Sequence, residues 1–257
     1  MIATAPRAIV TGASGGLGLE FARLLAADGI DLVLVARSRD ALEAEAADLR
    51  TRCGVAVETL AEDLATLDSA ARVFARVPSC DILINNAGFG SNGAFDTLPL
   101  ERIREELLLN VVALTELTRR YLPGMRERGS GRIMNVASTA AFLPGPFMAV
   151  YYATKAYVLS FSQALAEELR GSGVTVSCLC PGATATGFAR RAHVEASGLF
   201  RLPVADAPSV ARAGYTGMMN GKDLIVPGLF NKLVGLSPKI TPRRLLLAIS
   251  RRLVEPR

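Results

Sequence analysis

Short apolar runs alternate with longer stretches of helical period along most of the chain. RAIVTG reads as a strand, and GLGLEFARLLAADG then places Leu17, Phe21, Leu24 and Leu25 at helical spacing, with Gly29 as a stop. DLVLVA is a second strand, and the Ala-, Glu- and Leu-rich stretch from Asp40 to Arg52 a helix. VAVETLAEDL holds a third strand, and Leu67 to Val77 another helix. DILINNAG is a fourth strand, followed by a long helix within Leu100 to Arg128, and GRIMNVAS is a fifth. Val150 to Arg170 is a long helix, VTVSCLC a sixth strand stopped by Pro181 and Gly182, and DLIVPG a short seventh.

Several of these strands are apolar at nearly every position. That pattern belongs to parallel strands covered on both faces. The repeated β-α-β order predicts right-handed crossovers and a Rossmann-type, doubly wound parallel α/β sheet of about seven strands in three layers. No linker or internal repeat divides residues 1–257, so one domain is expected. Residues 187–221 break the rhythm and read as a lid or substrate loop.

Composition narrows the function classes. Half of the 257 residues are hydrophobic, which suits a folded domain. The net charge is +5, with basic residues spread along the chain and some enrichment near the C-terminus; no run of five like charges marks a basic arm, so a nucleic-acid-binding arm is not expected. Cys53, Cys80, Cys178 and Cys180 lack the spacing of a zinc site, and no metal is expected. They read as buried thiols in a reducing cytoplasm, with Cys178 and Cys180 facing the same side of a strand. The N-terminus runs into a strand without a signal-peptide pattern, and no apolar run is long enough to span a bilayer.

The first strand ends in Thr11-Gly12-Ala13-Ser14-Gly15-Gly16-Leu17-Gly18, with a helix directly after it. Such a turn lets backbone approach a pyrophosphate, which the helix N-terminus attracts. The spacing is Gly12-x-x-x-Gly16-x-Gly18 rather than G-x-G-x-x-G, and a plain structural turn is the alternative. After the second strand come Arg37, Ser38 and Arg39, with no carboxylate to accept ribose hydroxyls. Arg37 suits a ribose 2′-phosphate, hence NADP, against the alternative of a solvated loop Arg. Asp63, beside Leu64, reads either as an acceptor for the adenine amino group or as a helix cap.

Tyr151 and Lys155 lie one helical turn apart at the start of the helix after the fifth strand, so both can point into one site. A neighbouring ammonium is expected to lower the phenol pKa and make Tyr151 an acid/base. Tyr152 is an equally good phenol but sits off the Lys155 face. Ser138 ends the fifth strand, at the sheet edge where ligands bind.

At this point the chain resembles the short-chain dehydrogenase/reductase family. The glycine turn from Thr11 to Gly18 is similar to its cofactor turn, and Asn85-Asn86-Ala87-Gly88 to its motif after the fourth strand. Asn110, Ser138, Tyr151 and Lys155 resemble its catalytic tetrad in order and spacing, and Pro181-Gly182 with Thr184 and Thr186 its nicotinamide-side motif. The resemblance covers about Arg7 to Val226. It implies that Tyr151 protonates a carbonyl oxygen, Lys155 tunes it and holds the nicotinamide ribose, Ser138 orients substrate, and Asn110 helps hold a proton-feeding water. The cofactor-binding set it implies also takes in Ser14, Gly15, Gly16, Leu17, Asp63 and Leu64. It further implies a homodimer or homotetramer through the helices around 100–128 and 150–170.

The expected substrate pocket takes in Ser138, Ala140, Phe142, Pro144, Phe188 and part of 187–203, so an apolar carbonyl or alcohol is the expected substrate. The tail from about 228 to 257 mixes Leu229, Phe230, Leu233, Val234 and Leu236 with Lys232, Lys239, Arg243, Arg244, Arg251 and Arg252. It resembles the tail of a bacterial branch of the family, the DltE-like or YqjQ-like group. Packing against the subunit or a partner is its plainer reading; a peripheral membrane contact is the other. Two competing functions remain at this level: a cofactor-binding regulator without turnover, and a membrane-surface scaffold.

Overall fold

A computed structural model describes residues 5–192, 194 and 204–255, except the side chain of Lys239. Seven parallel strands form one sheet in the order β3-β2-β1-β4-β5-β6-β9: β1 (Arg7–Thr11), β2 (Asp31–Ala36), β3 (Val57–Ala61), β4 (Ile82–Asn85), β5 (Gly131–Val136), β6 (Val174–Leu179) and β9 (Leu224–Ile225). A second, two-stranded sheet pairs β7 (Thr184–Ala185) with β8 (Ala205–Asp206). The order reverses between β1 and β4, and a crevice opens there beyond the strand ends.

Alternation on strands that are apolar throughout creates the three layers. Ala8 and Val10 of β1 point to one face, into a core shared with Leu32, Leu34, Met134 and Leu179. Helices α1 (Gly16–Ala27), α2 (Arg39–Cys53) and α8 (Ala207–Met219) cover that face through Phe21, Leu25, Leu42, Leu49, Ala211 and Met218. Ile9 points to the other face with Val33, Val35, Leu83, Ile133 and Val176. There α3 (Ser69–Arg76), α5 (Leu114–Glu127) and α6 (Ala149–Glu168) close the core through Val73, Leu117, Met125 and Leu165.

The helix expected within 100–128 is one helical body of three parts: α4 (Leu100–Leu107), a π-helical turn (Leu108–Ala113) and α5. Asn110 sits in the π turn. Such turns insert one extra residue and re-aim side chains.

The expected lid at 187–221 is corrected in its extent. α8 packs against α1 and buries Val210, Ala211, Gly214 and Met218; it is the crossover helix between β6 and β9. Among the described residues of this stretch, Gly187 and the short helix α7 (Phe188–Ala192) line the crevice, while 193 and 195–203 fall outside the described residues. The tail forms α9 (Leu229–Ile240) and α10 (Arg243–Val254). No helix among the described residues is long and apolar enough to cross a membrane.

Candidate active site

A cavity of about 770 Å³ fills the crevice and runs past the ends of β1, β2, β4, β5 and β6. Its glycine end is set by backbone proximity. A Cβ at Gly12 would lie 2.9 Å from Asn86 Nδ2, and Gly12 itself has φ +68°. A Cβ at Gly18 would collide with the Gly12 carbonyl, so Gly18 lets α1 seat on the turn rather than lining the cavity. Ser14, Gly15, Gly16 and Leu17 do line it. The Thr11 hydroxyl clamps the neighbouring turn by accepting from Asn86 N (3.0 Å) and Ala87 N (3.0 Å), and Asn86 Nδ2 donates to Thr11 O (2.9 Å).

The first N–H groups of α1 have no partner within the helix and face this open end. With Asn86, Ala87 and Gly88 on the opposite wall, the residues present fit a dinucleotide pyrophosphate. Arg37 and Ser38 lie on the exposed rim beyond β2, with Asp63 and Leu64 beyond β3. Asp63 Oδ1 accepts from Ala65 N at 3.0 Å, which braces its own loop; the α3 cap is Asp68 instead.

At the other end Tyr151 and Lys155 line one wall together, with Ser138, Ala140, Pro181, Gly182, Thr184, Thr186 and Phe188. Both Tyr151 and Lys155 are buried. The Phe188 ring sits 5.2 Å from the Tyr151 ring. Lys155 Nζ donates to Val136 O at 2.8 Å and lies 5.7 Å from the Tyr151 ring centre. Thr186 leans over Gly16, and the Thr184 hydroxyl donates to Gly182 O at 3.0 Å. The Ser138 hydroxyl accepts from Ala140 N at 3.1 Å.

Burial dominates the electrostatics of this end. Burial drives the Tyr151 phenol well above its ordinary value; the Ser138 hydroxyl opposes this, and Tyr152, Glu106 and Cys180 add to the rise. Burial pulls the Lys155 ammonium itself down to about 8, against the pull of Cys178, Cys180 and Glu106. Removing two adjacent groups from water costs more than their separation returns, because desolvation opposes each charged form. Burial therefore favours the phenol form of Tyr151 over a standing phenolate.

Two other placements differ from the sequence reading. Phe142 packs with Leu114, Val158 and Cys180, and its ring lies near Gly235 of α9; it does not line the cavity. Pro144 likewise stays outside, its carbonyl accepting from Ser250 Oγ at 2.8 Å. The short turn Thr139–Phe142 rotates Ala140 inward and Phe142 outward. Asn110 is buried just behind the wall. Its Nδ2 donates to Phe89 O (2.8 Å) and Thr154 Oγ1 (3.1 Å), while Oδ1 accepts from Phe89 N (3.1 Å). A Cβ on Gly88 would come 3.1 Å from Asn110 Oδ1 and 3.4 Å from Lys155 Nζ, so the three groups meet at one point.

Several contributors were not singled out as site residues from the sequence, and others named there take a different place. Met148, Leu109 and Tyr152 line the cavity, as do Arg190 and Arg191 of α7. Tyr152 rests on Gly145, with its ring 6.1 Å from Tyr151. Asn85 and Asn135 pair in register on β4 and β5 and bond at 2.9 Å, and Asn135 Nδ2 reaches Ser162 Oγ of α6 at 2.9 Å. That buried chain ties the helix carrying Tyr151 to the central strands; its signal was a polar Asn recurring late in two apolar strands. Glu106 is fully buried one turn before Asn110. Burial pushes its carboxyl up to about 7, against Ser91, Arg102 and Lys155. Cys178 and Cys180 lie side by side, Sγ to Sγ 3.9 Å, as free thiols.

Comparison with known proteins agrees with this geometry. The chain is 37% identical over 221 residues to the ketoacyl reductase HetN of Nostoc sp., covering 84% of this chain and 76% of that one. It is 33% identical over 208 residues to the human very-long-chain 3-oxoacyl-CoA reductase, covering 79% of this chain but only 64% of that enzyme. A short-chain dehydrogenase from Sphingobium yanoikuyae, solved with NADPH, superposes with a TM-score of 0.82 at 36% identity, over 91% of this chain and 94% of that one. The sequence profile of the short chain dehydrogenase family matches residues 6–196. The chain belongs to the short-chain dehydrogenase/reductase family of oxidoreductases.

Proposed function

We propose that the chain is an NADPH-dependent reductase that turns an apolar ketone, of the bulky or 3-oxoacyl type, into its alcohol. The observation that carries this reading is the shared cavity: the glycine turn and Arg37 stand at one end, and buried Tyr151, Lys155 and Ser138 at the other. When bound there, NADPH would supply the hydride, with Arg37 placed to hold the adenosine 2′-phosphate and the glycine turn to hold the pyrophosphate.

Ser138 donates a hydrogen bond to the carbonyl oxygen, and Tyr151 delivers the proton. A phenol held protonated by burial favours the reductive direction. The Lys155 ammonium, charged below about pH 8, stabilises the phenolate left behind. Asn110 holds its place by bracing Phe89 and Thr154. Ala140, Met148, Tyr152 and Phe188 give the substrate end an apolar surface, which supports a hydrophobic substrate. The names of the Nostoc and human relatives support the 3-oxoacyl class. The exposed side chains Leu107 of α4 and Tyr157 of α6 suit a homodimer.

The test is NADPH consumption against a panel of 3-oxoacyl thioesters, bulky ketones and small charged keto acids. Turnover of the first two classes, with NADPH preferred over NADH, is expected. Turnover confined to the charged acids overturns the substrate reading, and none on any carbonyl overturns the reductase.

A further inference from the structure

The excess of positive charge is concentrated in the tail. Between Leu224 and Val254 the chain carries Lys232, Lys239, Arg243, Arg244, Arg251 and Arg252, and no Asp or Glu. Of 29 Lys and Arg these six leave 23 for the remainder, against 24 Asp and Glu, a net −1. The positive charge of the molecule therefore resides on α9 and α10.

The same two helices expose their apolar side chains. On α9, Leu229, Leu233, Leu236 and Ile240 fall at helical spacing and are 75%, 58%, 52% and 83% exposed. The inward side of that helix uses smaller groups, with Asn231 against Gly182 and Gly235 against Phe142. α10 buries Leu246, Ser250 and Val254 and leaves Leu245, Leu247 and Ile249 outside. Among the described residues, Arg251 has an ion pair, to Glu255, whereas Lys232, Arg243, Arg244 and Arg252 have none. Eight large apolar side chains, counting Phe230, thus stand among cations without counter-charges.

We propose that the outer face of α9 and α10 is a docking surface for an anionic lipid bilayer. Apolar side chains interleaved with unpaired cations match the boundary between acyl chains and acidic headgroups. A second copy fits less well: an isologous contact would set this cationic face against itself, and the remaining surface is nearly neutral. The inward side of the same helices packs behind the reaction end. Val254 shares a cluster with Ala140, Tyr151 and Tyr152, and its carbonyl accepts from Asn92 Nδ2 at 2.8 Å. Docking therefore sets the reaction end beside the bilayer, and the use of that placement, but not docking itself, rests on the apolar-substrate reading above.

The test is co-sedimentation of the full chain with vesicles of phosphatidylcholine alone or mixed with phosphatidylserine, alongside reductase turnover of a water-soluble ketone and light-scattering mass. Binding to the anionic vesicles should be at least tenfold stronger than to the neutral ones and should weaken in high salt. The paired variant Arg243→Glu/Arg244→Glu and the paired variant Leu233→Ser/Ile240→Ser should each lose at least tenfold in binding while soluble-ketone turnover is unchanged. Equal or absent binding to both vesicle types overturns the proposal. So does a fall in oligomer mass for Leu233→Ser/Ile240→Ser without vesicle binding by the parent, which assigns the face to a second copy. An absence of soluble-ketone turnover with vesicle binding intact breaks the reductase reading alone.

Discussion

The two ends of the cavity achieve recognition by opposite means. At the adenosine end Arg37, Ser38 and Asp63 stand on an exposed rim, held by short loops beyond β2 and β3. At the reaction end Tyr151 and Lys155 are buried, with Glu106 fully buried behind them, and each is shifted by loss of water. On the proposed reading the rim chooses a cofactor with charge that stays hydrated, so the choice is cheap to change. The interior prepares proton transfer with charges that are costly to ionise, so each substitution there disturbs its neighbours.

The sharpest break is Tyr151→Phe. Removing the hydroxyl leaves the ring packing against Phe188 intact but removes the proton donor, so turnover should fall by about 10²–10⁴ with NADPH affinity unchanged. Single-turnover kinetics and cofactor titration separate the two; retained turnover would remove Tyr151 from the chemistry.

Glu106→Gln probes the same interior through stability. The folded carboxyl holds its proton up to about pH 7, against an ordinary value of 4.5. The unfolded chain thus binds fewer protons within that window. Stability is full below about pH 4.5 and falls as pH rises toward 7, by roughly 3 kcal/mol in all. Urea unfolding at a series of pH values should show that slope in the parent and its flattening in the variant. An unchanged slope would mean that Glu106 keeps its charge on folding.

Arg37→Asp should act only on the rim. If the side chain holds the 2′-phosphate by charge-assisted bonds, roughly 1.5–3 kcal/mol each, NADPH affinity falls at least tenfold, NADH binding does not, and the thermal midpoint of the free protein stays put. Equal NADPH binding would leave Arg37 a bystander.

The mildest test is Phe142→Ala. Because the ring packs against Leu114, Val158 and α9 outside the cavity, stability should drop by about 1–3 kcal/mol while KM for an apolar ketone is unchanged. A raised KM with unchanged stability would return Phe142 to the pocket.

Much of this was legible in the chain. Near-continuous apolar strands separated by helical periods determined a parallel, doubly wound sheet, because a strand covered on both faces has no polar side to show. Gly12-x-x-x-Gly16-x-Gly18, Arg37 and the Tyr151–Lys155 spacing determined the character of the site, because each depends on backbone freedom, charge or a single helical turn. Tertiary structure decided the rest. Residues 207–219 became a core crossover rather than part of a lid because their small side chains, Ala211 and Gly214, let α8 press onto α1 and β6. Phe142 turned away and Ala140 turned in because one short turn rotates them apart. The protonation of Tyr151 and Lys155 followed burial, which no spacing records: a pKa depends on how much water the fold removes from around the group, and that is fixed only when distant segments close over it.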